Sequence, residues 1–165
     1  MPSLPLIADE TVTQTLEALN SASSEEVLAL QKRSGRFQPE LTGLAIAFSM
    51  EQRPEAAGVG LFVMIVLYEL FQRSRVKVKK ARERVVLRHW RAAREQAAAL
   101  QVDVDDPLEL LDDLPDSSEP IALQYVIEAL TEETDDKVQL TVDEFWRLYV
   151  VAVTMIETLH EMATK

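Results

Sequence analysis

The turn at residues 133–144 carries the carboxylates whose spacing comes nearest to a known metal-binding motif. In an EF-hand loop a bidentate glutamate closes the coordination shell at the last position, which Glu144 would take, with Asp135 near the start. The first half of the loop departs from the motif, because Val138 stands where a glycine makes the sharp turn. Asp135 and Glu144 are therefore weak metal candidates. A helix–turn–helix with a capping box between Thr141 and Glu144 accounts for the same residues.

The two histidines offer the other chemistry that this chain could perform. Glu157 and His160 are three residues apart and share one helical face, as in one half of a di-iron carboxylate site. Such a site needs a second pair of this kind, and Val86 stands where a glutamate should precede His89. We therefore expect His160, near the end of the last helix, to be solvated. We predict no catalytic residue and no cofactor, and we favour a protein without enzymatic activity.

Cysteine and charge composition narrow the possible functions further. The chain of 165 residues has no cysteine, which excludes disulfides, thiolate catalysis and cysteine-based metal clusters. Its formal net charge is −11, and an acidic protein repels nucleic acid and anionic membranes unless its cations are concentrated. Here they are concentrated: residues 73–100, which we call the basic segment, hold ten cations and two acids. The segment carries +8, which leaves −19 for the rest of the chain.

The basic segment is the strongest candidate for a partner-binding surface. Its candidate residues are Arg73, Arg75, Lys77, Lys79, Lys80, Arg82, Arg84, Arg88, Trp90 and Arg91. Three interpretations are open. The cations could be solvated or compensated by the acidic, proline-containing linker at 101–119, they could bind an acidic surface of a partner protein, or they could contact nucleic-acid phosphates. Nucleic acid is disfavoured, because aromatic residues are not interleaved with the cations and the remaining chain is strongly acidic.

Helical periodicity dominates the chain and predicts the all-α class. Capping-box pairs predict helix starts at Ser23 and Thr141, and Gly35 is a natural stop for the second helix. We expect one domain over 1–165, a bundle of about six helices, with the acidic linker inside it. The apolar helix at 56–71 should be central, packed by helices at 41–53 and 143–162.

The central helix has no charge between Glu55 and Glu69. A membrane span needs about 20 apolar residues, so we favour a buried helix over a span. Gly58 and Gly60 near its start would permit close helix packing or a bend. The helix could continue into the basic segment or break near Ser74, and the alternation at 75–78 leaves a weak strand interpretation.

Two functional classes follow from these patterns. The first is a non-catalytic interaction or regulatory module that works through its charge-segregated surface. The alternative is a small-ligand or metal-binding helical protein that uses the 133–144 turn or a pocket beside the apolar helix. The 56–71 helix is apolar nearly all round, and Val150, Val151 and Val153 widen the apolar face of the last helix. Together they indicate more apolar surface than one small bundle needs, which motivates a homodimer as a further hypothesis. Residues 1–9 lack the pattern of a secretory signal, so we expect a cytoplasmic location.

Overall fold

A computed structural model describes residues 4–132 and 139–164 of the chain. These residues form seven α-helices and one short 3₁₀ helix, with no strand among them. The elements are α1 (Asp9–Asn20), α2 (Ser24–Phe37), α3 (Pro39–Met50), α4 (Pro54–Arg73), α5 (Glu83–Asp103), the 3₁₀ helix η1 (Pro107–Leu111), α6 (Pro120–Thr131) and α7 (Val142–Thr164). The all-α class and the single helical domain are confirmed.

Helix α4 is the centre of the bundle, as its composition predicts. It begins at Pro54, which suits the first turn because proline has no N–H to leave unpaired. Its sides contact α1, α2, α3, α6 and α7. The run from Val63 to Phe71 is buried throughout. By length and composition alone α4 could cross a membrane, and 67% of its most apolar window is buried inside the bundle.

Gly60 permits the closest approach of α4 to its neighbours. A Cβ atom at this position would lie 2.8 Å from Leu148 Cδ2 and 3.0 Å from Ser49 Oγ. A side chain there would force the side chains of Leu148 on α7 and Ser49 on α3 to move, because such distances are shorter than van der Waals contact. The packing role expected of this glycine is therefore confirmed. At Gly58, two residues nearer the helix start, a Cβ would meet nothing within 4 Å.

Helix α7 is the longest element and lies largely inside the bundle. It packs against α5 along most of its length and also contacts α3, α4 and α6. Val150, Val151 and Val153 are all buried within the chain itself. The apolar face that these three valines form is thus covered without a second copy. The homodimer stays a prediction, but these valines no longer support it.

Local sequence signals predict the helix starts correctly and one helix end incorrectly. Ser23 accepts a hydrogen bond from the Glu26 backbone N–H, as a capping box requires. The stop expected at Gly35 is wrong, since α2 continues to Phe37. Gly35 does not take the left-handed conformation that ends helices. The helix ends instead just before Pro39, which starts α3.

Candidate functional site

The basic segment bends sharply where α4 ends, which settles the question of one helix or two. Ser74 caps α4, and its hydroxyl donates a hydrogen bond of 2.6 Å to the Phe71 carbonyl. Arg75 follows with φ of 64°, the left-handed conformation that a non-glycine residue seldom adopts. The chain then runs without regular structure to Arg82, which precedes α5. The weak strand interpretation of 75–78 is wrong, because no strand forms among the described residues.

Buried contacts fix the path of the chain through this bend. The side chain of Gln38, fully buried between α2 and α3, donates to the Lys79 carbonyl (2.8 Å) and accepts from the Ala81 backbone N–H (2.9 Å). The Lys79 backbone N–H donates to the Met162 carbonyl near the end of α7. Because these bonds hold the backbone from both sides, the side chains of the segment project from a defined frame.

The cations of the basic segment are all exposed, and most have no ionic partner among residues 4–132 and 139–164. Arg73 lies 3.7 Å from a carboxylate oxygen of Glu69, and Arg88 binds Glu161 at 2.6 Å. The remaining cations make no ion pair with another described residue. They are Arg75, Lys77, Lys79, Lys80, Arg82, Arg84, Arg91 and Arg94. The segment therefore presents concentrated positive charge that the described part of the chain does not neutralise.

Glu69 neutralises only part of the positive charge around it. Its buried carboxylate accepts an ion pair from Arg33 of α2 as well as from Arg73. One negative charge is thus shared by two arginines on neighbouring helices. The basic surface consequently extends from the end of α4 toward α2.

Trp90 faces the bundle more than the solvent. Its ring packs edge to face against Phe48 of α3, with 5.0 Å between the ring centroids. A ring held in this way keeps α5 against α3. It leaves less of its surface available for stacking on a partner than its place among the cations suggests.

The acidic linker at 101–119 does not cover the basic segment. Its short helix η1 docks on α6 through the buried residues Pro107 and Leu110. All of its carboxylates except Glu119 are exposed, and none of them pairs with a described cation of the segment. Its link to α5 is an uncharged hydrogen bond from the Gln96 amide to the Asp116 carbonyl. Compensation through folding back of the linker is therefore not found in the described residues.

Glu144, one of the two weak metal candidates, already binds other residues of the chain. Its carboxylate accepts the Thr141 backbone N–H, while the Thr141 hydroxyl accepts the Glu144 N–H, so the predicted capping box is confirmed. It also forms a bidentate ion pair with the Arg53 guanidinium, with Nε 2.7 Å from Oε2 and Nη2 3.1 Å from Oε1. The hydrogen bond from Arg53 is the main reason that the pKa of Glu144 is lowered. Asp135 lies outside the described residues, and those described contain no group of side chains suited to a metal ion.

The expectation of a solvated His160 is wrong. This side chain is 6% exposed, and its Nδ1 lies 2.6 Å from an oxygen of Glu119, which is fully buried. Glu119 also accepts the backbone N–H groups of Leu6 and Ile7, each at 2.9 Å. Glu157 binds the Ser118 N–H at 3.0 Å. The Glu-x-x-His pair therefore holds the start of α6 and the N-terminal residues instead of converging on a metal.

The structure also contains a cavity of about 930 Å³. It corresponds to the pocket beside the apolar helix that the sequence indicates as an alternative site. It opens to solvent between α1, the first half of α4, η1 and α6. No residue of the basic segment lines it.

Comparison of the chain with protein-family models, with curated proteins and with solved structures finds no match in any of the three.

Proposed function

We propose that the protein is a non-catalytic interaction module whose basic segment binds an acidic surface of a partner protein. The observation that supports this proposal is the set of exposed cations without an ionic partner among the described residues, held on a backbone fixed by Gln38. Like charges gathered on one segment repel one another, and an acidic partner would relieve that repulsion. Because the frame is already ordered, binding loses little backbone entropy.

Charge and aromatic placement favour a protein partner over nucleic acid. The rest of the chain carries −19, which would repel a long polyanion that extends beyond the segment. A compact acidic patch on a protein can meet the segment without approaching the acidic faces. Nucleic-acid single strands also gain affinity from stacking on aromatic rings, and Trp90 is packed against Phe48.

The experiment measures binding of a short fluorescein-labelled poly-glutamate peptide to the full chain by anisotropy. We expect saturable binding that weakens as salt rises, because exposed charges are screened beyond a Debye length of about 8 Å at physiological ionic strength. The double variant Lys80→Glu, Arg84→Glu should weaken binding at least about tenfold, equivalent to about 1.4 kcal/mol. Both residues are exposed, and neither contributes a described ion pair to the fold.

A matched charge reversal tests whether binding depends on the basic segment itself or on the net charge of the protein. The control residue lies at the other end of the α5–α7 pair. Arg84→Glu and Arg147→Glu change the net charge equally, and Arg147 is an exposed residue whose described ion pair is with Asp143 on its own helix. Arg84→Glu should weaken binding while Arg147→Glu leaves it unchanged. Equal losses would refute the assignment to the basic segment. Tighter binding of a single-stranded oligonucleotide of equal charge would refute the choice of a protein partner.

A further inference from the structure

The cavity beside α4 has the size and lining of a small-molecule site. Ligand pockets typically measure about 300–1,000 Å³ and are mainly apolar with a few polar groups, and this cavity of about 930 Å³ fits that range. Val59 and Phe62 of α4 and Leu111 of η1 form part of its apolar wall. Phe62 is 39% exposed, which is a high value for a phenylalanine.

A tyrosine hydroxyl that makes no hydrogen bond to another described residue marks the polar end of this cavity. Tyr125 of α6 lines the cavity and is 8% exposed, yet its hydroxyl makes no hydrogen bond to another described residue. A hydroxyl that lines a cavity without a protein partner is available to a bound ligand. Burial, and secondarily the charge of Glu132, raises the pKa of Tyr125, so the phenol stays neutral and can both donate and accept.

The charged groups that line the cavity are all carboxylates. They belong to Glu55, Glu128 and Glu132, and no lysine or arginine lines the described wall. Glu55 has Arg53 at 3.6 Å, whereas Glu128 accepts only an uncharged amide, from Gln124. A ligand carboxylate or phosphate entering here would meet like charge, and a ligand cation would meet opposite charge.

We propose that this cavity binds a small amphiphilic cation, an aliphatic or aromatic molecule that ends in an ammonium group. The apolar part packs against Val59 and Leu111, and the Phe62 ring face offers a cation–π contact. The ammonium N–H groups donate to the Tyr125 hydroxyl oxygen and lie beside the carboxylates. This site is independent of the basic segment in position and opposite to it in charge, so either proposal can fail without the other.

The experiment titrates octylamine, octanol and octanoate into the full chain by isothermal calorimetry, so that only the head group changes. We expect one saturable site for protonated octylamine, with octanol at least about tenfold weaker and octanoate without detectable binding. Tyr125→Phe should weaken octylamine more than octyltrimethylammonium, which has no N–H to donate. Octanoate that binds as tightly as octylamine would overturn the charge argument, and equal effects of Tyr125→Phe on both amines would overturn the role of the hydroxyl.

Two glycines give a matched test of location. Gly58 lines the cavity and Gly43 lies exposed on α3, and in both positions a Cβ meets nothing within 4 Å. Gly58→Leu should narrow the cavity and weaken octylamine at least about tenfold, while Gly43→Leu leaves binding unchanged. Ala129→Leu, from the α6 wall, provides a second blocking variant if Gly58→Leu does not fold. Unchanged binding in a folded blocking variant would place octylamine elsewhere and refute the proposal.

Discussion

The basic segment and the Glu119–His160 pair place charged groups in opposite environments. Around Glu119, every described bond serves to hold the fold: two backbone N–H groups and an imidazole converge on one buried carboxylate. In the basic segment, eight exposed cations bind no described carboxylate. The charged groups around Glu119 are buried and paired, whereas most of the described cations without an ion pair are exposed and lie in the basic segment. The comparison separates residues that stabilise the protein from residues available to a partner.

Removing the buried carboxylate should have the largest effect on stability. Glu119→Ala leaves His160 and the N–H groups of Leu6 and Ile7 without their acceptor. Loss of one member of a buried charged cluster costs about 3–5 kcal/mol. Urea denaturation should show this decrease in the free energy of unfolding. Glu109→Ala, an exposed carboxylate of the same linker, should change it by less than about 0.5 kcal/mol. Similar effects of both changes would contradict the contrast between buried and exposed charge.

Removing the buried Gln38 amide, which fixes the path of the basic segment, should have the second-largest effect on stability. Gln38→Ala leaves the Ala81 N–H and the Lys79 carbonyl without their side-chain partner, which costs about 1–3 kcal/mol. Hydrogen exchange followed by mass spectrometry should show faster exchange in peptides that cover 79–81. The exposed Gln14, whose amide binds Glu10, provides the control, and Gln14→Ala should leave this exchange unchanged. Unaltered exchange in Gln38→Ala would show that other contacts hold the bend.

The Arg53–Glu144 ion pair is intermediate between the buried Glu119 cluster and the exposed basic segment. Its contribution to stability should depend on pH. Since the pKa of Glu144 is lowered in the folded state, its contribution is present above the ordinary carboxyl pKa and lost as pH falls through the folded value. Glu144→Gln should therefore lower Tm at neutral pH, and the difference from the parent chain should shrink in acid. Differential scanning calorimetry from pH 7 downward measures this. A difference that grows on acidification would contradict the assigned sign.

Neutralising the unpaired cations should have the smallest effect on stability. Lys77 and Lys80 are exposed and contribute no described ion pair, so Lys77→Ala and Lys80→Ala should each change the free energy of unfolding by less than about 0.5 kcal/mol. Urea denaturation of the two variants provides the measurement. Marked destabilisation by either variant would mean that the segment serves the fold, and the comparison with Glu119 would fail.

Sequence reasoning succeeded where neighbouring residues determine the structure. The cap at Ser23 and the capping box at Thr141 join residues three apart, and the apolar run of α4 is visible from composition alone. It failed where the partner is distant: Glu119 binds Leu6 across 113 positions and His160 across 41. No local pattern distinguishes Glu119 from the other acids of its linker. The cavity also depends on how four elements meet, so only its apolar wall on α4 could be anticipated.

The contact between Glu119 and the N-terminal residues depends on main-chain atoms at one end and on a side chain at the other. Substitution at positions 6 and 7 should therefore be tolerated as far as this contact is concerned, provided that each residue keeps its N–H. Proline at either position would delete a donor. Position 119, in contrast, requires a carboxylate of glutamate length. In this one set of hydrogen bonds, positions 6 and 7 should therefore tolerate substitution much better than position 119.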